Sequence, residues 1–332
     1  MTSEEIRTLG AKCGFELAGV AAALPHPDIE RYEDWVTRGM AGRMGYLTDH
    51  RAAVRDDPRR LLPSARSIIC VGKLYNGPEP YSTRFDATEL AWISRYAWGD
   101  DYHDILRAGL ERLARELSGD HEYRVCVDTA PLLERSYARE AGLGWIGKNT
   151  CLINEPQGSW FFLGELLTSL DIKPDSPPPD RCGTCTRCID ACPTAALTPY
   201  ELDATRCISY FTIELRGAIP EEHRRRMGRH VFGCDICQDV CPWNRRAPVT
   251  GDELFRPREF APPLGKLAAL SEAEFREMFR GSPVKRTRYS GFLRNVAIAM
   301  GNSGASKFRP VLQRLAASED AVVSEAARWA LG

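Results

Sequence analysis

The sequence predicts three units in series: an α/β domain over residues 1–173, a cysteine-rich domain over 181–247 behind a Pro-rich linker at 174–180, and a helical region of HEAT-like repeats over 248–332. Three observations predict this order. β-branched, apolar stretches alternate with a leucine stripe of helical period in the first half. Eight of the twelve cysteines lie between Cys182 and Cys241. The last third holds short helical periods joined by Gly-rich turns, as in stacked repeats.

Thr2 and Glu5 form a capping box, and Ile6, Leu9 and Cys13 follow at helical spacing, so the chain opens with an amphipathic helix. Phe15 to Leu24 reads as a strand. Trp35, Met40, Met44, Tyr46 and Leu47 then lead through several arginines to Arg55-Asp56-Asp57-Pro58-Arg59-Arg60, a solvated turn or an anion-facing loop. Ser67 to Leu74 is a buried strand stopped by Asn76-Gly77-Pro78. Asp101 to Leu117 places Leu106, Leu110, Leu113 and Leu117 on one helical face, with Gly119 as the stop. Tyr123 to Val127 is the next strand, and Trp160 to Leu170 another.

Strand, helix and strand in that order put functional residues just past strand ends. Asp128 is there, and Pro131 suits the first turn of a following helix. Taken alone, the segment favours Asp128 as that helix's cap. Gly142, Gly144 and Gly147 match a dinucleotide fingerprint by letters but lack the preceding strand.

The cysteines read Cys182-x-x-Cys185-x-x-Cys188-x-x-x-Cys192-Pro193, a lone Cys207, then Cys234-x-x-Cys237-x-x-x-Cys241-Pro242. This is bacterial ferredoxin spacing, in which three cysteines of a run hold one cubane and the fourth, before proline, crosses to the other. Two 4Fe-4S clusters are therefore expected in a ferredoxin-like domain. Cys182, Cys185, Cys188 and Cys241 would hold the first; Cys192, Cys207, Cys234 and Cys237 the second, with Cys207 replacing the member the second run lacks. Structural zinc would favour isolated Cys-x-x-Cys pairs, and disulfides a short secreted chain. Cys13, Cys70, Cys126 and Cys151 read as buried packing.

Lys and Arg total 44 against 45 acidic residues, so a net charge of -1 exerts no global pull on nucleic acid or membrane. A local patch exists instead: Lys285, Arg286, Arg288, Arg294, Lys307, Arg309 and Arg314 fall between Val284 and Arg314 with no acidic residue among them. Arg224, Arg225, Arg226 and Arg229 form either a solvated face or a phosphate contact. Gly291 to Met300, Phe308 to Ala317 and Val322 to Leu331 are the helices of the repeat region. No apolar run approaches the roughly 18 residues that span a bilayer, and Glu4 and Glu5 stand where a leader would be basic. A soluble, cytoplasmic chain is expected, in the reducing compartment that cluster cysteines need.

Asp56-Asp57-Pro58-Arg59-Arg60-Leu61-Leu62-Pro63, Val127-Asp128-Thr129-Ala130-Pro131, Gly144-Trp145-Ile146-Gly147-Lys148-Asn149, Arg206-Cys207-Ile208-Ser209-Tyr210 and Gly233-Cys234-Asp235-Ile236-Cys237-Gln238 occur together with the first cysteine run. In this combination the chain resembles, over nearly its whole length, the epoxyqueuosine reductases, cobalamin- and iron-sulfur-dependent enzymes that complete queuosine in tRNA. The resemblance implies that the N-terminal domain binds cobalamin. It implies removal of the epoxide oxygen at the tRNA wobble position with two electrons and two protons.

It also implies that Asp128 is the proton donor, its carboxyl kept protonated near neutral pH by a desolvated site. Polar residues of the matching segments, Arg55, Lys148, Asn149, Ser159, Ser209 and Asp235, join Asp128 as cobalamin candidates. Asp101-x-His103 runs on to Leu106 rather than glycine, so base-off cobalamin without a histidine ligand is expected. Arg216, Lys285, Arg286, Arg288 and Arg294 are expected on the anticodon stem-loop. An unidentified low-potential electron donor, no membrane and a monomer complete the expectation. A reductive dehalogenase would share both cofactors but has no use for the basic repeat; a two-cluster carrier with an RNA-binding tail leaves Asp128 unexplained.

Overall fold

The computed structural model describes residues 1–332. Its first half runs α1 (Ser3–Lys12), β1 (Leu17–Ala22), α2 (Asp28–Thr37), β2 (Ser67–Leu74), β3 (Trp92–Ile93), α3 (Tyr102–Glu116), β4 (Tyr123–Cys126), α4 (Glu134–Glu140), β5 (Trp145–Ile146), β6 (Leu152–Ile153) and β7 (Phe161–Thr168). Four strands form one sheet in the order β1-β2-β7-β4. In the central ladders Val20 faces Ile69, and Ile69 faces Leu166. Alternate residues serve opposite faces. Val20, Ile69, Val71 and Leu166 pack with Ile6 of α1 and with Leu106, Leu110 and Leu113 of α3. Ala21, Ile68, Cys70 and Leu167 pack with Tyr137 and Ala138 of α4. Both faces being covered, all eight residues of β2 are buried, which is why this strand reads as one apolar run.

The expected strands and helices are present, including the Thr2–Glu5 capping box, and Asp101 caps α3. Every ladder of the sheet is antiparallel, however, so the domain mixes helices and strands without the crossovers of an open parallel sheet. The helix after β4 starts at Glu134, three residues beyond Pro131. Asp128 does not cap it; its N–H donates to Glu134 Oε1 at 2.7 Å, the reverse of a cap. The Pro-rich linker is tied to the sheet edge, where Val20 N–H donates to Asp175 Oδ2 (2.9 Å) and Asp175 N–H to the Val20 carbonyl (2.8 Å).

The second half contains α5 (Arg187–Asp190), β8 (Leu197–Thr198), β9 (Glu201–Leu202), α6 (Glu221–Arg224), β10 (His230–Phe232), α7 (Ile236–Asp239), α8 (Leu264–Ala269), α9 (Glu272–Met278), α10 (Arg288–Ser303), α11 (Arg309–Ala316) and α12 (Ala321–Leu331). β10 pairs in parallel with β3. The largest core joins Trp92 and Ile93 to Ile208, Phe211 and Phe232, and these to Val296, Ile298, Leu312 and Val323 of the last helices. Residues from all three sequence units thus share one interior. Gly304, at φ 67°, ends α10 in the left-handed conformation that glycine adopts without steric cost. No helix is long and apolar enough to cross a membrane.

Candidate active site and cluster ligands

The eight cysteines of the second half fall into two electrostatic neighbourhoods. Cys188 is within reach of the charges of Cys182 and Cys185, and Cys241 of Cys182 and Cys188. Cys207 interacts with Cys192, Cys234 with Cys207 and Cys192, and Cys237 first with Cys151, to which it is hydrogen-bonded, and then with Cys234 and Cys207. These couplings are compatible with the two foursomes expected from the spacing. Burial pushes the Cys241 thiol up to about 12 and raises Cys182, Cys188, Cys207 and Cys234 as well. A cationic iron core would offset that cost by stabilising the thiolates.

Backbone N–H groups already point at the sulfurs: Ser209 and Tyr210 at Cys207, Ile236 at Cys234, Trp243 at Cys241 and Ala196 at Cys192 (3.3 Å). Such donors tune cluster potential. No three His, Cys, Asp or Glu side chains stand close enough to share a single ion. The residues fit two four-iron clusters.

Asp128 sits just past β4 at φ 51°, a left-handed conformation costly for a residue with a Cβ. Its Oδ2 accepts from the Tyr102 hydroxyl at 2.8 Å and lies 3.1 Å from His103 Nε2. His103 Nδ1 is 2.7 Å from Asp101 Oδ1, and Asp101 Oδ2 accepts from Lys285 Nζ at 3.0 Å. The N-terminus of α3 creates this arrangement. Asp101 caps the helix, and the next two residues turn their rings onto Asp128 from one wall, with Tyr102 stacked on Phe162 at 4.3 Å. The Asp128 side chain is 48% exposed, so it is open to solvent on the side away from Tyr102 and His103. Charges of Arg286 and Asp128 both act on Tyr46 and Tyr96; the Arg286 guanidinium lies 5.3 Å over the Tyr46 ring and donates to Glu214 (2.5 Å).

Burial pushes the Asp128 carboxyl up, but hydrogen bonds from His103 and Tyr102 and the Arg286 charge outweigh it and hold Asp128 below the usual carboxylate range. The expectation of a carboxyl kept protonated by desolvation is therefore not met by these neighbours. The proton resides on His103 instead: burial lowers its affinity, yet Asp101 and Asp128 together raise the imidazole to about 9. Behind Asp128, burial and the Asp128 charge push Glu134 up to about 8, and burial lifts the fully buried Glu165 well above the usual carboxylate range.

The cobalamin candidates divide. Arg55 is buried over the Tyr32 ring (5.3 Å) with Nη1 unpartnered, and the neighbouring Asp56 Oδ1 is equally buried and unpartnered. Lys148 Nζ donates to the Gly183 and Cys185 carbonyls (2.6 and 3.1 Å), and Asn149 Nδ2 to the Cys237 carbonyl (3.3 Å), so both brace the cysteine loops. Ser209 is turned toward Cys207. Ser159 is engaged by Asn244 and Gln238, and buried Asp235 accepts from Trp92 Nε1, Ser94 Oγ and Arg95 N–H. Arg55 Nη1 and Asp128 Oδ1 are left without a hydrogen-bond partner in the chain.

Among the RNA candidates, exposed Arg216 lies within reach of the charges of Arg288 and Arg286 and donates to the Ile213, Arg286 and Thr287 carbonyls, and Lys285 is exposed beside them in sequence. Arg294 is corrected. It is 1% exposed and donates to the Phe211, Leu215 and Gly217 carbonyls and to Asn295, so it holds the 211–217 turn and offers nothing to phosphate. Arg224 and Arg229 are likewise structural, on the Ile219 carbonyl and Glu325, and on the Ser82 and Phe85 carbonyls. Sequence reasoning missed Tyr102, His103, Glu134 and Glu214 as members of the site. The signal available was three polar or aromatic residues at the start of a helix, too common to single out.

A family model described as "Epoxyqueuosine reductase QueG, DUF1730" matches residues 55–129, from Arg55 through Asp128, and a 4Fe-4S double cluster binding domain matches 181–244. The epoxyqueuosine reductase of Xanthomonas campestris is 42% identical over 98% of this chain and 94% of its own length; that of Escherichia coli is 40% identical over 91% and 81%. The chain belongs to the epoxyqueuosine reductase family. Solved epoxyqueuosine reductases share the fold. One crystallised with an epoxyqueuosine-modified tRNA-Tyr stem loop superposes with a TM-score of 0.91 at 31% identity, over 99% of this chain and 88% of that one. The Streptococcus thermophilus enzyme gives 0.89 at 31%, over 99% and 89%. In a Bacillus subtilis epoxyqueuosine reductase (0.88, 29%, over 98% and 88%) the catalytic Asp loop is swung out of the active site.

Proposed function

We infer that this chain reduces epoxyqueuosine in tRNA to queuosine. The epoxide loses both C–O bonds, the two carbons form an alkene, and two electrons and two protons leave the oxygen as water. The observation that carries this reading is the Asp128 site, which lies inside the segment matched by the family model and combines a carboxylate, a charged histidine and a side open to solvent.

Cobalamin suits the Arg55–Asp56 corner, where a donor and an acceptor are buried without protein partners, because the amides around a corrin offer both complements. When bound, it supplies a strongly reducing centre to the epoxide carbons. Both ring nitrogens of His103 are engaged by carboxylates, so this histidine is not free as a cobalt ligand, in keeping with base-off binding.

The chain's own part is to manage protons. Asp128 Oδ1 has no hydrogen bond within the chain, while Oδ2 is held by Tyr102 and His103. As the epoxide oxygen gains charge, the proton held on His103 Nε2 passes to the Asp128 carboxyl and from it to the oxygen. Asp101, itself held by Lys285, keeps the imidazole oriented and charged between deliveries. RNA closing over the open side removes water from Asp128 and strengthens the burial contribution that favours its protonated form.

Arg216, Lys285, Arg286 and Arg288 bind stem-loop phosphates, and α10 to α12 act as a HEAT-like unit beside them. The enzyme works as a cytoplasmic monomer fed by a low-potential donor. The test is anaerobic incubation of cluster- and cobalamin-loaded protein with epoxyqueuosine tRNA, reading the nucleoside by mass spectrometry. Queuosine is expected from the native protein and none from Asp128→Asn; unchanged epoxyqueuosine with the native protein overturns the assignment.

A further inference from the structure

We propose that an open depression rimmed by Arg84, Arg187 and Arg245 is the docking surface for an acidic, low-potential one-electron carrier protein that loads the clusters. This rests on the reading of the cysteines as cluster ligands.

The depression, about 490 Å³, lies between the 82–84 turn, α5, α7 and the 242–246 turn. Its floor is built from the two short helices that carry Cys188 and Cys237, one ligand of each foursome. All three arginines are exposed, and none belongs to an ion pair of the chain. Arg84 lies over the Tyr81 ring, 5.8 Å from its centroid. The two acids present are turned to local donors. Asp190 accepts from Thr186 Oγ1 (2.7 Å), and Asp239, 5% exposed, accepts from Ser82 Oγ and the Thr83 N–H. Three arginines against these two acids leave the rim net positive above the cluster helices.

Ala191 and Val240 supply small apolar surface between the arginines, and no aromatic ring lines the depression. Single-stranded RNA would want stacking partners, whereas a small positive rim around an apolar centre suits a brief protein encounter steered by charge. The rim shares no residue with the Arg216, Lys285, Arg286 and Arg288 patch, so donor and RNA have separate surfaces. Each encounter oxidises the carrier by one electron and reduces one cluster by one. Two encounters supply one epoxide.

The experiment is anaerobic stopped-flow bleaching of the cluster absorbance in the full, reconstituted chain mixed with reduced flavodoxin, an acidic flavoprotein, or with reduced methyl viologen. With native protein the flavodoxin rate should fall steeply as salt rises. Arg84→Glu with Arg245→Glu should slow flavodoxin about tenfold at low salt and leave methyl viologen reduction and stem-loop binding intact. The milder Arg84→Gln with Arg245→Gln should show the same direction if the reversal impairs folding. Unchanged flavodoxin rates in both double variants overturn the proposal, as does loss of stem-loop binding with donor reduction preserved, which would make the rim an RNA site. Native protein that shows no reducible cluster absorbance after reconstitution overturns the cluster reading instead.

Discussion

Replacing His103 by Gln keeps a hydrogen-bond donor near Asp128 but removes the charge. The rise of the imidazole from 6.5 to about 9 corresponds to about 3 kcal/mol of preference for the protonated ring. Two carboxylates share this, and the Asp128 side chain is 48% exposed, so solvent screening leaves about 1–2 kcal/mol for the His103–Asp128 pair. His103→Gln should therefore lower the single-turnover rate on modified tRNA by about 5- to 30-fold. The pH profile supplies a second reading. A group raised by folding contributes its stabilisation fully below 6.5 and loses it as pH passes about 9. Native activity should thus fall on an alkaline limb near 9 that the variant lacks, and the native advantage in thermal stability should shrink over the same interval. A variant with native rates and the same alkaline limb would refute the role of His103.

Asp128→Asn should retain corrinoid binding, seen by absorbance titration, while turnover disappears; near-native turnover would remove Asp128 as the donor. Cys207→Ser should leave about half the iron of the reconstituted native chain, because one foursome stays complete; full iron content would show that Cys207 is not a ligand. Arg294→Ala should cost about 3–5 kcal/mol in denaturant unfolding, since three carbonyls and Asn295 lose a buried charged donor, with stem-loop affinity of the folded fraction unchanged. Arg288→Glu should do the opposite, weakening stem-loop binding and flattening its salt dependence at little cost in stability.

What was legible in the sequence was local. β2 is recovered to the residue because an uninterrupted apolar, β-branched run ends at a strong breaker. α3 is recovered because its leucines repeat on one face. The double-cluster domain follows from the cysteine spacing, since short helical turns between the cysteines leave the sulfurs few places to go. Illegible features depend on distant parts of the chain meeting. The antiparallel strand order is set by long-range pairing that no single segment encodes. His103 acquires its role only because the start of α3 lands against the end of β4. Arg294 counts as one more surface charge until the 211–217 turn folds over it and takes its donors. Asp235 and Ser159 lie in the right segments but turn inward, because a matching segment locates the backbone and says nothing of where a side chain finds its partners.

The central claim is that electrons stored on the cysteine foursomes are the ones that open the epoxide beside Asp128. The most direct test is to reduce the corrinoid-loaded, reconstituted chain, remove all free reductant, and add modified tRNA while following cluster reoxidation and nucleoside mass together. Two electrons lost from the clusters for each queuosine formed is the predicted result. Queuosine appearing without cluster reoxidation, or reoxidation with the epoxide left intact, would contradict it.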